Sequence, residues 1–378
     1  MEFDFDRPIP RHDSDSMKWG RYRGRDILAL WQADMDFRTA PVIEAALAKR
    51  LEHGILGYGE ATAPVEQAVV DHLAARHDWQ IDRTQLLWLP GLVPALYLAC
   101  RAFAQPGQGI LTATPVYPHL LSAPPSAGCR LIGLPLREPD WDWDLDALRS
   151  AITADTRLLL LCHPHNPVGR RWDLPTLTAL ARLVEQYDLT VVSDEVHCEL
   201  QLDAGARHRP FATLPGMAQR TITLMSASKT YNLAGLQCAF AIISNPALKE
   251  TLLRTGYGLL PPPNPLGLTA TEAALRGGAP WLAALLDYLR GNRDRVHAAL
   301  DGVAGLRVNR PQATYLSWLD CRALPHPHPR ELFEEAGVGL SDGSEFGLPG
   351  FARLNFACPR VTLEQALERM QGKLRSFE

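Results

Sequence analysis

From residue 41 onward, amphipathic helical segments alternate with short runs that are apolar at nearly every position, and this alternation restricts the fold more than any other feature of the chain. A strand with one face in water alternates apolar and polar residues. A strand that is apolar throughout must be covered on both faces, as happens when helices cross over a parallel sheet. Runs of this kind are GILTAT (109–114), CRLIGLPL (129–136), RLLLLCHP (157–164), LTVVSDE (189–195), TITLMSAS (221–228) and AFAIIS (239–244). Among the intervening segments, PVIEAALAKRLEHG (41–54) has helical apolar spacing, with Pro41 at its start and Gly54 at its end. APVEQAVVDHLAARH (63–77) and LPTLTALARLVEQYD (174–188) also read as helices. The expectation is an α/β protein whose large domain has a mostly parallel sheet flanked by helices. Ligands of such sheets sit at the carboxyl ends of the strands.

A chain of 378 residues exceeds the size at which one core stops growing, so a second unit is expected. The clearest break is PPPNPLG (261–267), followed by a long helical stretch, the strand-like runs ATYLSWLD and FARLNFA, and a final helix, VTLEQALERMQGKLRSF. The expected division is a large domain over 41–262 and a smaller α+β domain over 263–378, with 1–40 as an N-terminal segment packing on the smaller one.

Composition narrows the function. The net charge of -4 arises from 38 basic and 42 acidic residues without a run of one sign, so neither nucleic acid nor a membrane surface is an expected partner. The acidic N-terminus lacks the pattern of a secretory signal, which makes the cytoplasm the expected location. Seven scattered cysteines without a C-x-x-C spacing read as reduced, mostly buried residues, and no metal site is expected from them.

Lysine is scarce: only Lys18, Lys49, Lys229, Lys249 and Lys373 occur. Four lie among polar or charged neighbours and read as solvated. Lys229 follows the run TITLMSAS, at the ligand edge of the expected sheet, where partial desolvation would lower its pKa and make the amine nucleophilic. Asp194 ends LTVVSDE, 35 residues earlier, a spacing that fits one strand–connection–strand step. A carboxylate there could keep a pyridine nitrogen protonated or simply brace a loop. Asn166 lies in HPHNPVG (163–169), equally a ligand amide or a turn. His163 and His165 have no ligand-spaced partners and are not expected to bind metal. GLVPALYLACRAF is a glycine turn feeding a helix, whose first N–H groups, at Leu92 and Val93, could hold a phosphate. Ser226 could add a hydroxyl donor, and Tyr117, in TPVYPH, could stack on a planar ring or fill a loop.

In order, GYG, GLVPAL, TPVYPH, CHPHNPVG, SDEVHCEL, SASKTYNLAGLQ and FARLNFACPR resemble the motifs of fold-type I pyridoxal 5'-phosphate enzymes. More narrowly, the chain from WQADMDF to ACPR is similar to the cystathionine β-lyase-like branch of the class I/II aminotransferase superfamily, the bacterial carbon–sulfur lyases. The resemblance implies a homodimer with active sites at the interface. It makes Lys229 the Schiff-base lysine, Asp194 the partner of the pyridine nitrogen, Asn166 the donor to the phenolic oxygen and Tyr117 the stacking ring. Tyr58 matches the tyrosine that reaches the phosphate in the neighbouring subunit, and Arg353 the fork that binds the substrate α-carboxylate. Many aminotransferases have arginine eight residues after the lysine and tyrosine three after the aspartate. Here those positions are Gln237 and His197, as in the lyase branch. Gln32 departs from the apolar residue usual near the substrate in that branch.

The implied reaction is β-elimination from cystathionine or another S-substituted cysteine, a small amino-acid substrate, to a thiol, pyruvate and ammonia. An aminotransferase is the alternative, and a non-catalytic binding or regulatory protein with the same fold is a third reading.

Overall fold

Seven strands form a twisted central sheet, and the computed structural model, which describes residues 3–377, shows how their sequences place them. After a short β1 (Leu28–Ala29) come β2 (Leu86–Leu89), β3 (Gly109–Thr114), β4 (Arg130–Pro135), β5 (Thr156–Cys162), β6 (Thr190–Asp194), β7 (Thr221–Met225) and β8 (Ala239–Ile243). Their spatial order is β2-β8-β7-β6-β5-β3-β4. The pairs from β7 to β4 are parallel, and β8 runs antiparallel to both its neighbours. This is the mostly parallel α/β sheet that the apolar runs require. Successive side chains of β5 point to opposite faces. Leu159 and Leu161 pack with the helix Leu174–Gln186, and Leu158 and Leu160 pack with the helix Leu92–Phe103.

Two strands differ from the sequence expectation. The run CRLIGLPL was expected to be covered on both faces, but β4 is the edge strand and is largely accessible. The four-residue strand β2, LLWL, is too short beside its turn residues to stand out by periodicity. It is held by pairing with β8.

A second sheet follows, built from β9 (Arg307–Val308), β10 (Leu316–Asp320), β12 (Ser341–Asp342) and β13 (Phe351–Asn355) in the antiparallel order β12-β13-β10-β9. The helices Ala279–Leu300 and Arg360–Arg375 share its core. The N-terminal strand β1 pairs in parallel with β11 (Val338–Gly339), so the chain start is built into this later part. The helix Pro265–Gly277, which begins in the PPPNPLG break, packs against the helices Pro41–Glu52 and Ala63–His77.

One lysine expected at the surface is not there. Lys18 is 0% exposed, and its Nζ donates to Asp36 Oδ2 at 2.7 Å and to the Asp34 carbonyl at 3.2 Å. Trp19 Nε1 and Arg11 Nη1 donate to the other Asp36 oxygen at 2.9 and 2.6 Å. A polar-looking leader thus hides a buried ion cluster, because its partner carboxylate lies 18 residues ahead. Removing one member of a buried pair leaves the other uncompensated, at about 3 kcal/mol. Lys18→Met should therefore shift the urea midpoint downward by that equivalent at fixed protein concentration. A variant as stable as the parent would show that Arg11 and Trp19 suffice for Asp36.

Candidate active site

Parallel strands deliver their carboxyl ends to one edge, and four sequence-chosen residues meet there. Tyr117 follows β3, Asn166 follows β5, Asp194 ends β6 and Lys229 follows β7. Because β6 and β7 are adjacent, the 35-residue step between Asp194 and Lys229 is one crossover. A cavity of about 360 Å³ opens at this edge, lined by these four residues and by His197, Ser226, Leu92, Val93 and Gln237.

Burial sets the electrostatics. Lys229 Nζ donates to the Ala33 carbonyl at 2.8 Å, and desolvation, assisted by Arg353, lowers its pKa to about 8. Asp194 accepts from the Val196 N–H at 3.2 Å, while burial raises its pKa to about 6. The imidazole of His197 is pushed down to about 3, again by burial first, and its Nδ1 has no partner among the described residues. Tyr117 is pushed up to about 12 for the same reason. Arg353 is buried with its guanidinium over the Phe346 ring, and burial lowers its pKa to about 10. It donates to Asn166 Oδ1 at 3.0 Å and to the Trp31 carbonyl at 2.9 Å, while its Nε is unpartnered among the described residues. With Asn166 Oδ1 so occupied, the amide nitrogen is the group left to donate into the cavity.

The helix Leu92–Phe103 begins at this cavity after Gly91, and no side-chain hydrogen bond caps it. Its first N–H groups therefore present the positive end of the helix dipole to whatever enters.

Some sequence candidates are placed differently. Ser226 lies in the wall, but its hydroxyl donates to the Cys238 carbonyl at 2.7 Å and accepts from the Ser228 N–H, so its proton is already committed. Gln32 touches the site through its neighbours. The carbonyls of Trp31 and Ala33 hold Arg353 and Lys229, while that of Gln32 accepts from Asn355. Tyr58 is 99% exposed and lies outside the cavity of its own chain. His165 is buried between the carbonyls of Cys162 and Pro115, and His163 lies against His208. Two further residues escaped the sequence reading. Ser228 lines the cavity one residue before the lysine. The buried Tyr315 donates to the Ala33 carbonyl, the same oxygen that accepts from Lys229, and no motif marked it.

A doubly covered, mostly parallel sheet with a desolvated lysine, a carboxylate and an open helix N-terminus at its carboxyl edge defines an α/β fold of the aminotransferase type. The chain belongs to the aminotransferase class I and II family, whose model matches residues 25–370. It is 35% identical to a protein named cystathionine beta-lyase PatB from Bacillus subtilis, covering 98% of this chain and 99% of that one. The solved structure described as OvoB is 42% identical with a TM-score of 0.96, covering 99% of this chain and all of that one. Cystalysin from Treponema denticola, whose structure is described as containing pyridoxal 5'-phosphate, is 30% identical with a TM-score of 0.95 over the whole of both chains. Among the described residues, no helix is long and apolar enough to cross a membrane.

With its pKa near 8, the Lys229 amine in ligand-free protein becomes neutral well below the ordinary lysine range of about 10.4. Its acylation rate by a small amine reagent should rise through pH 8 and then level off. A rate at Lys229 that keeps climbing up to the ordinary lysine range would contradict this environment.

Proposed function

We propose that the chain is a pyridoxal 5'-phosphate-dependent carbon–sulfur β-lyase acting on cystathionine or a related S-substituted cysteine. The observation that carries this reading is the convergence of the desolvated Lys229 amine, the Asp194 carboxylate and Asn166 around one cavity with an uncapped helix N-terminus, with Arg353 hydrogen-bonded to Asn166. The names of the relatives, cystathionine beta-lyase among them, favour elimination over amino transfer.

The residues present fit the cofactor. The N–H groups of Leu92 and Val93 would hold its phosphate, with Ser226 bracing the wall. Asp194 would keep the ring nitrogen protonated, Asn166 would donate to the phenolic oxygen, and Tyr117 and His197 would bound the ring. Bound there, the cofactor supplies an electron sink that makes the substrate's Cα proton acidic and lets the β-substituent leave.

The chain's own residues do the rest. Arg353 receives the substrate α-carboxylate, for which its partly unpaired guanidinium is suited. Gln32, whose neighbours' carbonyls hold Arg353 and Lys229, would meet the variable substituent. Lys229 would hold the cofactor and, when freed, would take the Cα proton; burial, which lowers its pKa to about 8 in the ligand-free site, favours the neutral amine that this requires. The Cβ–S electron pair departs with sulfur, and the proton on Lys229 is available to the thiolate. Water then converts the unsaturated remainder to pyruvate and ammonia.

This reading extends to assembly and place. Leu51, Ile55, Leu56 and Tyr58 are exposed within eight residues, an apolar surface that supports a homodimer in which Tyr58 reaches the partner's phosphate site. The two sheets support a cofactor-binding part over 41–262 and a smaller part over 263–378 carrying 1–40. The cytoplasm is its proposed location.

Incubation with a panel of S-substituted cysteines should release thiol, pyruvate and ammonia in equal amounts without an added keto acid. Faster amino transfer to a keto acid across the panel would replace elimination by the aminotransferase reading. Borohydride reduction should fix the cofactor to Lys229, and a label on another lysine would remove that assignment. Asp194→Asn should stay folded and hold cofactor with turnover lowered by several orders of magnitude; near-normal turnover would take Asp194 out of catalysis. Hybrid dimers of inactive Tyr58→Phe and Lys229→Ala subunits should recover one working site each, whereas confirmed hybrids that stay inactive would place Tyr58 in its own subunit's site.

A further inference from the structure

Two residues beyond His197, the chain turns the carboxylate of Glu199 toward the helix Ala63–His77. There His72 Nε2 and His77 Nε2 approach the same carboxylate oxygen, Glu199 Oε1, at 2.8 and 2.7 Å. The other oxygen, Oε2, is taken by Arg76 through Nε at 3.1 Å and a terminal nitrogen at 3.0 Å. The two histidines are five positions apart, about 140° around a regular helix, so they do not share a face by default. They nonetheless converge on Glu199 Oε1, at the point where the helix ends at His77 and the next residue, Asp78, turns into the left-handed region at φ 52°.

The orientation of His77 is also fixed from behind. Its Nδ1 faces the His208 carbonyl at 3.4 Å, and a carbonyl can only accept. That contact places a hydrogen on Nδ1, and the contact with the Glu199 carboxylate, which also only accepts, places one on Nε2, so a bound ion would take the place of the Nε2 hydrogen. Metal-binding histidines are oriented from behind in the same way, by one ring nitrogen donating to a backbone carbonyl while the other, once its hydrogen is displaced, ligates. One atom each from His72, His77 and Glu199 lie within 4.8 Å of one another. A tetrahedral ion with bonds of about 2.0–2.1 Å needs its ligand atoms about 3.3 Å apart, so the two contacts with Glu199 Oε1 would open by roughly half an ångström and the imidazoles would settle around the ion. His72 and Arg76 also line a cavity of about 610 Å³, together with Asp71, so the cluster is reached by solvent on its His72 side.

We propose that His72, His77 and Glu199 form a binding site for a divalent transition ion of the zinc type. Two imidazoles and one carboxylate oxygen suit such an ion better than calcium or magnesium, which prefer all-oxygen shells. Arg76, on the far carboxylate oxygen, leaves Oε1 as the ligating atom. The ion would join the helix Ala63–His77 to the segment that carries Asp194 and His197 into the other cavity, so its first effect is to stiffen that segment. The inference is independent of the reaction proposed above.

The test uses the full-length protein with its cofactor, freed of metal by dialysis against a chelator. Titration with zinc followed by calorimetry should show one ion bound per chain and a higher Tm in its presence. Cobalt(II) should give the visible bands of a four-coordinate nitrogen–oxygen site. His72→Ala, at the more accessible ligand, should weaken zinc binding by at least about tenfold, the loss that even an outer-shell change produces. A double variant of the half-buried His326 and the exposed His328, distant in sequence from the cluster, should bind zinc as the parent does. An anomalous diffraction peak at the zinc edge should fall among His72, His77 and Glu199. Absence of stoichiometric binding, binding that survives His72→Ala but not the His326/His328 change, or a peak on a cysteine would each overturn the site.

Discussion

A buried carboxylate with three donors organises the reactive edge of this molecule. Asp36 is closed off from water and held by Lys18, Trp19 and Arg11, so the chain just before it cannot drift. That stretch works as a strap of backbone carbonyls. Trp31 binds Arg353, Ala33 binds Lys229 and Tyr315, and Gln32 and Asp34 both bind Asn355. Arg353 and Asn355 belong to β13 in the second sheet, whereas Lys229 follows β7 in the first. The carboxylate-anchored strap is therefore the joint through which the two sheets set the distance between the amine and the guanidinium.

The groups around the cavity share one electrostatic condition. Burial pushes Lys229 and Arg353 down and Asp194 up, each toward its neutral form. Groups displaced in both directions complement a ligand that carries both signs. A phosphate and a carboxylate favour the charged arginine and the helix N-terminus, and a protonated ring nitrogen favours the charged aspartate. Such a ligand would restore the charges that burial removes, and the lysine would remain the group nearest the point of neutrality.

How much of this was legible in the sequence depended on the range of the interaction. Lys229, Asp194, Asn166 and Tyr117 could be chosen because each follows an apolar run, and a parallel sheet brings all such run ends to one edge. Lys18 could not, since its neighbours look solvated and its burial follows from a carboxylate 18 positions away. Arg353 and Tyr58 came from family resemblance and not from local pattern. For Arg353 the structure supplies the physical reason, contacts with Asn166 and Trp31 more than 180 residues distant. Tyr315, Ser228 and the meeting of His72 and His77 with Glu199 left no periodic trace, because each depends on how separate segments fold together.

The segment from Asp194 to Gln201 shows why such contacts matter. Within it, Asp194 and His197 line the reactive cavity, Glu195 accepts from His208 at 2.6 Å, and Glu199 collects His72, Arg76 and His77. Glu195 also accepts from Ser193 and the Phe211 N–H, so its carboxylate is satisfied on several sides. Few of these residues have regular secondary structure to hold them, yet all are buried. Their position is maintained by buried hydrogen bonds at alternate sites, and each bond that fixes Glu195 or Glu199 also limits the movement of Asp194 and His197. The precision of the cavity is thus partly set outside it, by histidines that touch neither the lysine nor anything bound to it.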